Sequence, residues 1–179
     1  MKIHFLSNSL KTNSGFANVT KNLAQQLKLL GHQVTMSGLQ TAVVPDYTYN
    51  IESLPMATNI DGLTDESSQF RKNLSQIDPD VVIYIGEMYT ELRNLTKIFP
   101  KTIVHIPIEG VGIPTYVKED LNYIATNGGR VIAECEYGFN EMIKADVQSI
   151  GYISLGFNEK IFKQLTKSEL TNKYCFYST

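Results

Sequence analysis

The sequence predicts an α/β fold, in which helices cover both faces of an open, mostly parallel sheet. Short apolar segments alternate with helical ones along the chain, and glycine or proline signals end most of the helices. Residues 80–85 (DVVIYI) are continuously apolar after the aspartate, as in a strand buried on both faces. With 179 residues, 42% of them hydrophobic, the chain is long enough for one well-cored domain and too short for two. Together these features indicate a Rossmann-like domain.

The first 36 residues predict the opening unit of such a sheet. Residues 2–7 form a short apolar strand, 8–15 a polar loop, and 33–36 the next strand, QVTM. The helix between them ends at Gly31, a residue typical of helix C-termini. Its apolar residues recur at helical spacing, which predicts that they face the sheet. They are Phe16, Val19, Leu23, Leu27 and Leu30.

The same alternation continues to residue 154. The predicted elements are a helix at 65–77, a strand at 80–85, a helix at 88–99, a strand at 102–106, a helix at 116–126, a strand at 130–133, a helix at 137–144 and a strand at 149–154. We expect residues 1–157 to form the Rossmann-like domain. Residues 158–179 are interpreted as a hinge or linker followed by the first strand of a second domain that is missing or vestigial. That strand, at 174–177, could equally add to the edge of the first sheet.

Composition and charge limit the classes of partner. The formal net charge is −2 and the pI is about 5.9, so no basic excess is present to neutralise the phosphates of a nucleic acid. Cys135 and Cys175 are far apart, lack metal-ligand spacing, and are expected to be reduced thiols of a cytoplasmic protein. No apolar stretch approaches the roughly 20 residues that span a bilayer. Contact with a membrane surface stays open, as does the oligomeric state.

The loop before the first helix is the best candidate binding site. In open α/β sheets, ligands bind beyond the C-terminal ends of the strands, and a helix N-terminus there offers N–H groups and a positive dipole to an anion. Ser14, Gly15 and Phe16 would let a phosphate approach the backbone, since glycine has no Cβ. The alternative is that Gly15 only allows a tight turn and Ser14 only caps the helix, and on the loop alone we favour it.

The motifs of three common enzyme classes are missing from the sequence. The loop is not G-x-G-x-x-G, and no acidic residue ends the second strand, which disfavours a nicotinamide dehydrogenase. The loop also differs from the P-loop of NTPases. No G-x-S-x-G elbow occurs, which disfavours an esterase.

His105 ends a buried strand at the same predicted edge, and Glu109 lies in the loop that follows. Histidine titrates near neutral pH and can exchange hydrogen bonds with sugar hydroxyls, and a carboxylate could bind hydroxyls or take a proton from one. The alternative for both is structural, a packing histidine and a solvated glutamate. Because the C-terminal ends of parallel strands share an edge, we expect the loops at 8–15, 86–88 and 105–112 to lie together.

Four segments, in this order, resemble family-4 glycosyltransferases. Residues 14–34 contain a glycine loop, a helix with a leucine–alanine pair, and then Gly-His-x-Val. Residues 106–110 are similar to a Pro-x-acid-Gly segment of some members. Residues 131–138 resemble an apolar strand followed by Ser-x-aromatic-Gly, with Cys135 in place of the serine. Residues 153–162 resemble the hinge signature Gly-Val-Asp-x-x-x-Phe, with asparagine in place of the aspartate.

The resemblance implies one half of a two-domain GT-B enzyme. Such an enzyme is a retaining, metal-independent transferase that moves a sugar from a nucleotide-sugar to a glycan, lipid or protein acceptor and needs no other cofactor. The resemblance carries over to Gly15 for the donor phosphates and to His105 for catalysis. We further expect Ser14 and Phe16 at the donor phosphates, Glu109 in catalysis, and Glu87 and Gly110 at the acceptor or sugar. The role of the histidine is to contact the transferred sugar.

In such enzymes the second domain supplies a basic pair for the diphosphate and a Glu-x7-Glu motif, and neither occurs here. We therefore expect the acceptor-side half of a glycosyltransferase, which alone transfers sugar poorly or not at all. An alternative is a non-catalytic binding or regulatory domain derived from such an enzyme. A weaker alternative is an unrelated Rossmann-like enzyme, because this fold carries many functions.

Overall fold

A computed structural model describes residues 1–10, 12–39, 52–54, 68–88 and 92–156. Within these ranges the protein has six strands and five helices. In chain order they are β1 (Lys2–Asn8), α1 (Gly15–Leu29), β2 (Gln33–Leu39), β3 (Glu52–Leu54), α2 (Gln69–Ile77), β4 (Val81–Ile85), α3 (Leu92–Ile98), β5 (Thr102–Ile106), α4 (Thr115–Thr126), β6 (Arg130–Ala133) and α5 (Glu136–Lys144).

The six strands form one parallel sheet in the order β3-β2-β1-β4-β5-β6. This is the doubly wound Rossmann order, in which the direction of strand addition reverses between β1 and β4. The predicted fold class is therefore confirmed. Because every pair is parallel, the loops after β1, β4, β5 and β6 all leave from one edge of the sheet, which we call the C-terminal edge.

Helices cover both faces of the sheet. The alternation within β4 illustrates this. Val82 and Tyr84 belong to one apolar cluster, whereas Ile85 belongs to the other, against which the partly buried Val81 and Ile83 also pack. The larger cluster contains side chains of α2, α3, α4 and α5, and the smaller one contains those of α1. The prediction that residues 80–85 form a strand buried on both faces is confirmed.

The face that α1 turns to the sheet differs from the prediction. The residues of α1 that are fully buried are Ala17, Thr20 and Ala24, whereas Leu23 is 38% exposed and Leu30, just beyond the helix, is 73% exposed. Small side chains let the helix backbone approach the strands closely, so the buried stripe is rotated toward the alanines. The other predicted positions, Phe16, Val19 and Leu27, are partly buried beside that stripe.

The prediction of a strand at 149–154 is wrong, because this segment does not form a regular strand. Only Tyr152 forms a bridge, with Ala133 of β6, although backbone hydrogen bonds from this segment to β6 occur on both sides of it. Gly151 has a φ of 144°. The Val131 carbonyl accepts hydrogen bonds from both the Ser149 hydroxyl and the Ile150 amide. The backbone thus follows β6 as an irregular edge segment.

Three predicted features touch residues outside the described ranges. The hinge and second-domain strand at 158–179 lie there, as do the first residues of the predicted helix at 65–77 and residues 89–91 of the helix at 88–99. In the described part, α2 begins after its N-cap Ser68, and Met88 is not helical. No helix among the described residues is both long and apolar enough to cross a membrane.

Candidate functional site

The loop between β1 and α1 is held by Ser14, the N-cap of α1. Its hydroxyl accepts a hydrogen bond from the Ala17 amide at 3.1 Å and another from the Asn8 side-chain amide at 3.1 Å. Its carbonyl accepts from the Asn18 amide. The expected capping role of Ser14 is therefore present. The capping bonds use the third and fourth amides of the helix end, and the amides of Gly15 and Phe16 have no acceptor among the described residues.

Gly15 is not required by the backbone conformation. It lies in the first turn of α1 without a positive φ, and a Cβ placed there would meet no heavy atom within 4 Å. The interpretation that glycine serves only a tight turn at this position therefore loses its physical basis. A side chain at this position would project into open space.

A row of three residues connects this loop with His105 along the C-terminal edge. Ser7 of β1 pairs with Ile85 of β4, which pairs with His105 of β5. All three lie on the face that α1 covers, since Phe5 and Ile85 belong to the cluster beneath that helix. Adjacent strands are about 4.8 Å apart, so the backbones of Ser7 and His105 are about 10 Å apart along the edge.

His105 is 7% exposed, and one contact indicates which of its ring nitrogens carries a hydrogen. Its Nε2 lies 3.3 Å from the carbonyl oxygen of Ile153. A carbonyl oxygen only accepts, so Nε2 carries a hydrogen and donates it. In the neutral ring Nδ1 is then a bare acceptor, and it has no hydrogen-bond partner in the described part of the chain. His105 can thus accept a hydrogen bond or a proton at Nδ1.

Glu134 is a site residue that the sequence interpretation missed. It directly follows β6, and its amide donates to the Ile106 carbonyl at 3.0 Å, beside the end of β5. Strand alternation places it on the same face as His105, whose register partner is Ile132. Burial raises the pKa of its carboxyl group; His105 opposes the shift and Glu109 adds to it. An acidic residue immediately after the last strand was the sequence signal that could have revealed it.

The loop that carries Glu109 and Gly110 is exposed but anchored at its base. The buried Glu141 of α5 accepts a hydrogen bond from the Gly112 amide at 3.1 Å. Hydrogen bonds from Lys144 and then from Gly112 hold the pKa of the Glu141 carboxyl group below its usual range. The prediction that this loop lies at the same edge as the α1 loop is confirmed, whereas the chemical roles of its two residues stay predictions.

Cys135 explains how α5 starts beside this loop. Its Sγ is the N-cap acceptor for the Gly138 amide at 3.5 Å, the position that a serine hydroxyl would take. Gly138 in turn packs on Ile108, where a Cβ would come within 3.2 Å of the isoleucine Cβ. The loop after β5 therefore rests directly on the first turn of α5.

Glu87 lies on the exposed surface of the loop after β4, between the two parts of the site. Tyr84, buried beneath it, donates its hydroxyl hydrogen to the Glu87 carbonyl at 2.7 Å. A Cβ at Gly86 would come within 2.6 Å of that hydroxyl, so glycine leaves room for this bond. The backbone of the loop is thus fixed, whereas the predicted sugar contact of the Glu87 side chain stays a prediction.

The charge along this edge is uneven. Residues 86–88, 107–114 and 134–135 contain three glutamates, Glu87, Glu109 and Glu134, and no lysine or arginine. The N-terminus of α1, with its amide groups and dipole, is the part of the edge suited to an anion. Among the described residues no group of three or more histidine, cysteine, aspartate or glutamate side chains is placed to hold a metal ion.

No protein-family model and no curated protein sequence matches this chain. Its fold does match solved structures. A glycosyltransferase from Rickettsia africae superposes with a TM-score of 0.67 at 18% identity, over 99% of this chain and 50% of its own. HepE from Anabaena, solved with UDP and glucose, gives 0.63 at 13% identity over 96% and 48%. The spinosyn forosaminyltransferase SpnP gives 0.52 at 14% identity over 88% and 51%.

At these identities the likeness establishes the fold. This chain spans about half the length of each of these proteins.

Proposed function

We propose that this chain is the acceptor-side domain of a glycosyltransferase that uses a nucleotide-sugar donor. The observation that carries the proposal is the pairing of two complementary surfaces on one edge of the sheet. The open N-terminus of α1 suits a phosphate, and the acceptor groups at the end of β5, around His105, suit the hydroxyls of a sugar. The first surface follows β1 and the second lies at the end of β5, with β4 between the two strands.

In this proposal each part has a distinct role. The amides of Gly15 and Phe16 and the α1 dipole stabilise the negative charge of the donor phosphate. Nδ1 of His105 accepts a hydrogen bond from a hydroxyl of the transferred sugar, and Glu109 accepts a proton or a hydrogen bond from the reacting hydroxyl. Glu87 and Gly110 line the adjacent surface, where the acceptor would lie.

The comparisons support the proposal through fold and through the ligands of one neighbour. HepE, which shares the fold, was solved with UDP and glucose. The resemblance to family-4 enzymes further implies retention of configuration and no need for a metal ion, and both belong to the proposal. Determination of the product anomer, and turnover in the presence of EDTA, would test them.

The direct test is binding of UDP to the 179-residue chain, followed by amide chemical shifts in NMR. We expect millimolar UDP to shift the amides of Gly15 and Phe16, and uridine, which lacks phosphate, to leave them unchanged. Equal effects of UDP and uridine, or shifts confined to other regions, would contradict the phosphate role. Sugar binding without turnover, in the chain and in any complex that it forms, would favour the non-catalytic binding domain instead.

A further inference from the structure

His105, Glu109 and Glu134 can each act as a hydrogen-bond acceptor at this end of the sheet. With Nε2–H bound to the Ile153 carbonyl, the neutral ring offers the lone pair of Nδ1. Glu109 and Glu134 add carboxylates to this end of the sheet, and a carboxylate accepts hydrogen bonds without donating any. A ligand that satisfies these three groups must therefore bring hydrogen-bond donors.

Of the two carboxylates, Glu134 is better placed to favour a ligand that donates hydrogen bonds. Its backbone is fixed by the hydrogen bond to Ile106 at the end of β5, and its side chain is partly buried on the face that bears His105. Partial burial strengthens its electrostatic interaction with a ligand, because less solvent screens it. Glu109, by contrast, is exposed.

Three loops of this edge carry no cationic side chain that would offset this charge. The loops after β4, β5 and β6 contain no lysine or arginine. A carboxylate or phosphate on the bound sugar would therefore meet like charge and bare acceptors, whereas hydroxyl and ammonium groups would meet complementary partners. Like-charge contact costs affinity and so excludes wrong ligands.

We infer that the sugar held against His105 is uncharged or amino-substituted, and that Glu134 is the specificity-determining residue that excludes anionic sugars. This inference rests on the proposed function and names the class of sugar that the same site takes.

The experiment compares glucose, glucosamine and glucuronate as probes, each titrated into the isotopically labelled chain at equal ionic strength. We expect glucose and glucosamine to shift amides at 105–112 and 134–136, and glucuronate to leave them unchanged. The variant Glu134→Gln should weaken glucosamine binding by about tenfold or more, since a charge-assisted hydrogen bond is lost, and should admit glucuronate. Glu119→Gln, at an exposed position of α4, is the matched control and should bind as the parent does.

Three results would overturn the inference: glucuronate binding as tightly as glucose, no binding of any of the three sugars at these amides, or an unchanged order of affinity in Glu134→Gln. The amide spectrum of each variant shows directly whether it is folded. UDP added to the same samples separates the two proposals. Shifts at Gly15 with UDP but none with the sugars would support the phosphate site and refute the sugar selectivity. Shifts with the sugars but none at Gly15 with UDP would support the selectivity and refute the phosphate site.

Discussion

Lowering the pH from 7 to 5 should remove about 2 kcal/mol from the free energy of unfolding through one residue, His4. Its ring is fully buried between β1, β2 and α2. Nδ1 lies 2.8 Å from the Thr35 hydroxyl and Nε2 lies 2.9 Å from the Ser37 hydroxyl. The Asn73 side chain donates to Ser37 at 2.9 Å, which leaves the Ser37 hydrogen for Nε2 and the ring hydrogen for Thr35. Every group in this network is satisfied when the ring is neutral.

The magnitude follows from the pKa of the buried ring. Burial lowers the pKa of His4 from 6.5 to about 3. Between these values the unfolded chain binds a proton that the folded protein refuses, so stability falls as the pH falls below 6.5 and the loss ends near pH 3. Each pH unit in this window contributes about 1.4 kcal/mol, which gives about 2 kcal/mol at pH 5 and about 5 kcal/mol in full.

Urea denaturation followed by circular dichroism at pH 7, 6 and 5 measures the effect. His4→Gln is the control, because an amide can bond to the same two hydroxyls but does not titrate. The difference in pH dependence between parent and variant isolates His4 from Glu134 and every other titrating group. Parallel pH profiles would refute the reasoning. If the variant is unfolded, the ring C–H resonances of His4 in the parent should still show no titration between pH 7 and 5.

Three further predictions concern the site and its supports. Gly15→Val should abolish the UDP-induced shifts while changing the free energy of unfolding by less than about 0.5 kcal/mol. The control Gly156→Val should change stability as little and should keep UDP binding. Tyr84→Phe should lower the free energy of unfolding by about 1 kcal/mol, measured in urea, because the carbonyl that it holds in the loop after β4 loses its donor. Glu141→Gln should lower the Tm and accelerate hydrogen exchange at Gly112. In the parent that anchor should weaken as the pH falls below about 4.5, because the folded carboxyl group has the lower pKa. Unchanged exchange at Gly112 would show that the loop is held by other contacts.

Much of the fold was determined locally by the sequence. The bounds predicted for β5 and β6, 102–106 and 130–133, match those observed. The alternation of strand and helix implied a parallel sheet, and a parallel sheet places the loop before α1 and the loop after β5 on one edge. Such features depend on apolar periodicity, glycine and proline signals and strand direction, all of which are properties of short segments.

The tertiary structure alone decided which groups meet at that edge. Nothing within the segment at 130–136 says that Glu134 lies beside His105, because the meeting depends on the register between β5 and β6. The hydrogen on Nε2 of His105 depends on Ile153, 48 residues further along the chain. The buried face of α1 likewise depends on how closely its alanines approach the strands. Site chemistry of this kind arises from contacts between segments distant in sequence, and a pattern within one segment carries no record of the segment packed against it.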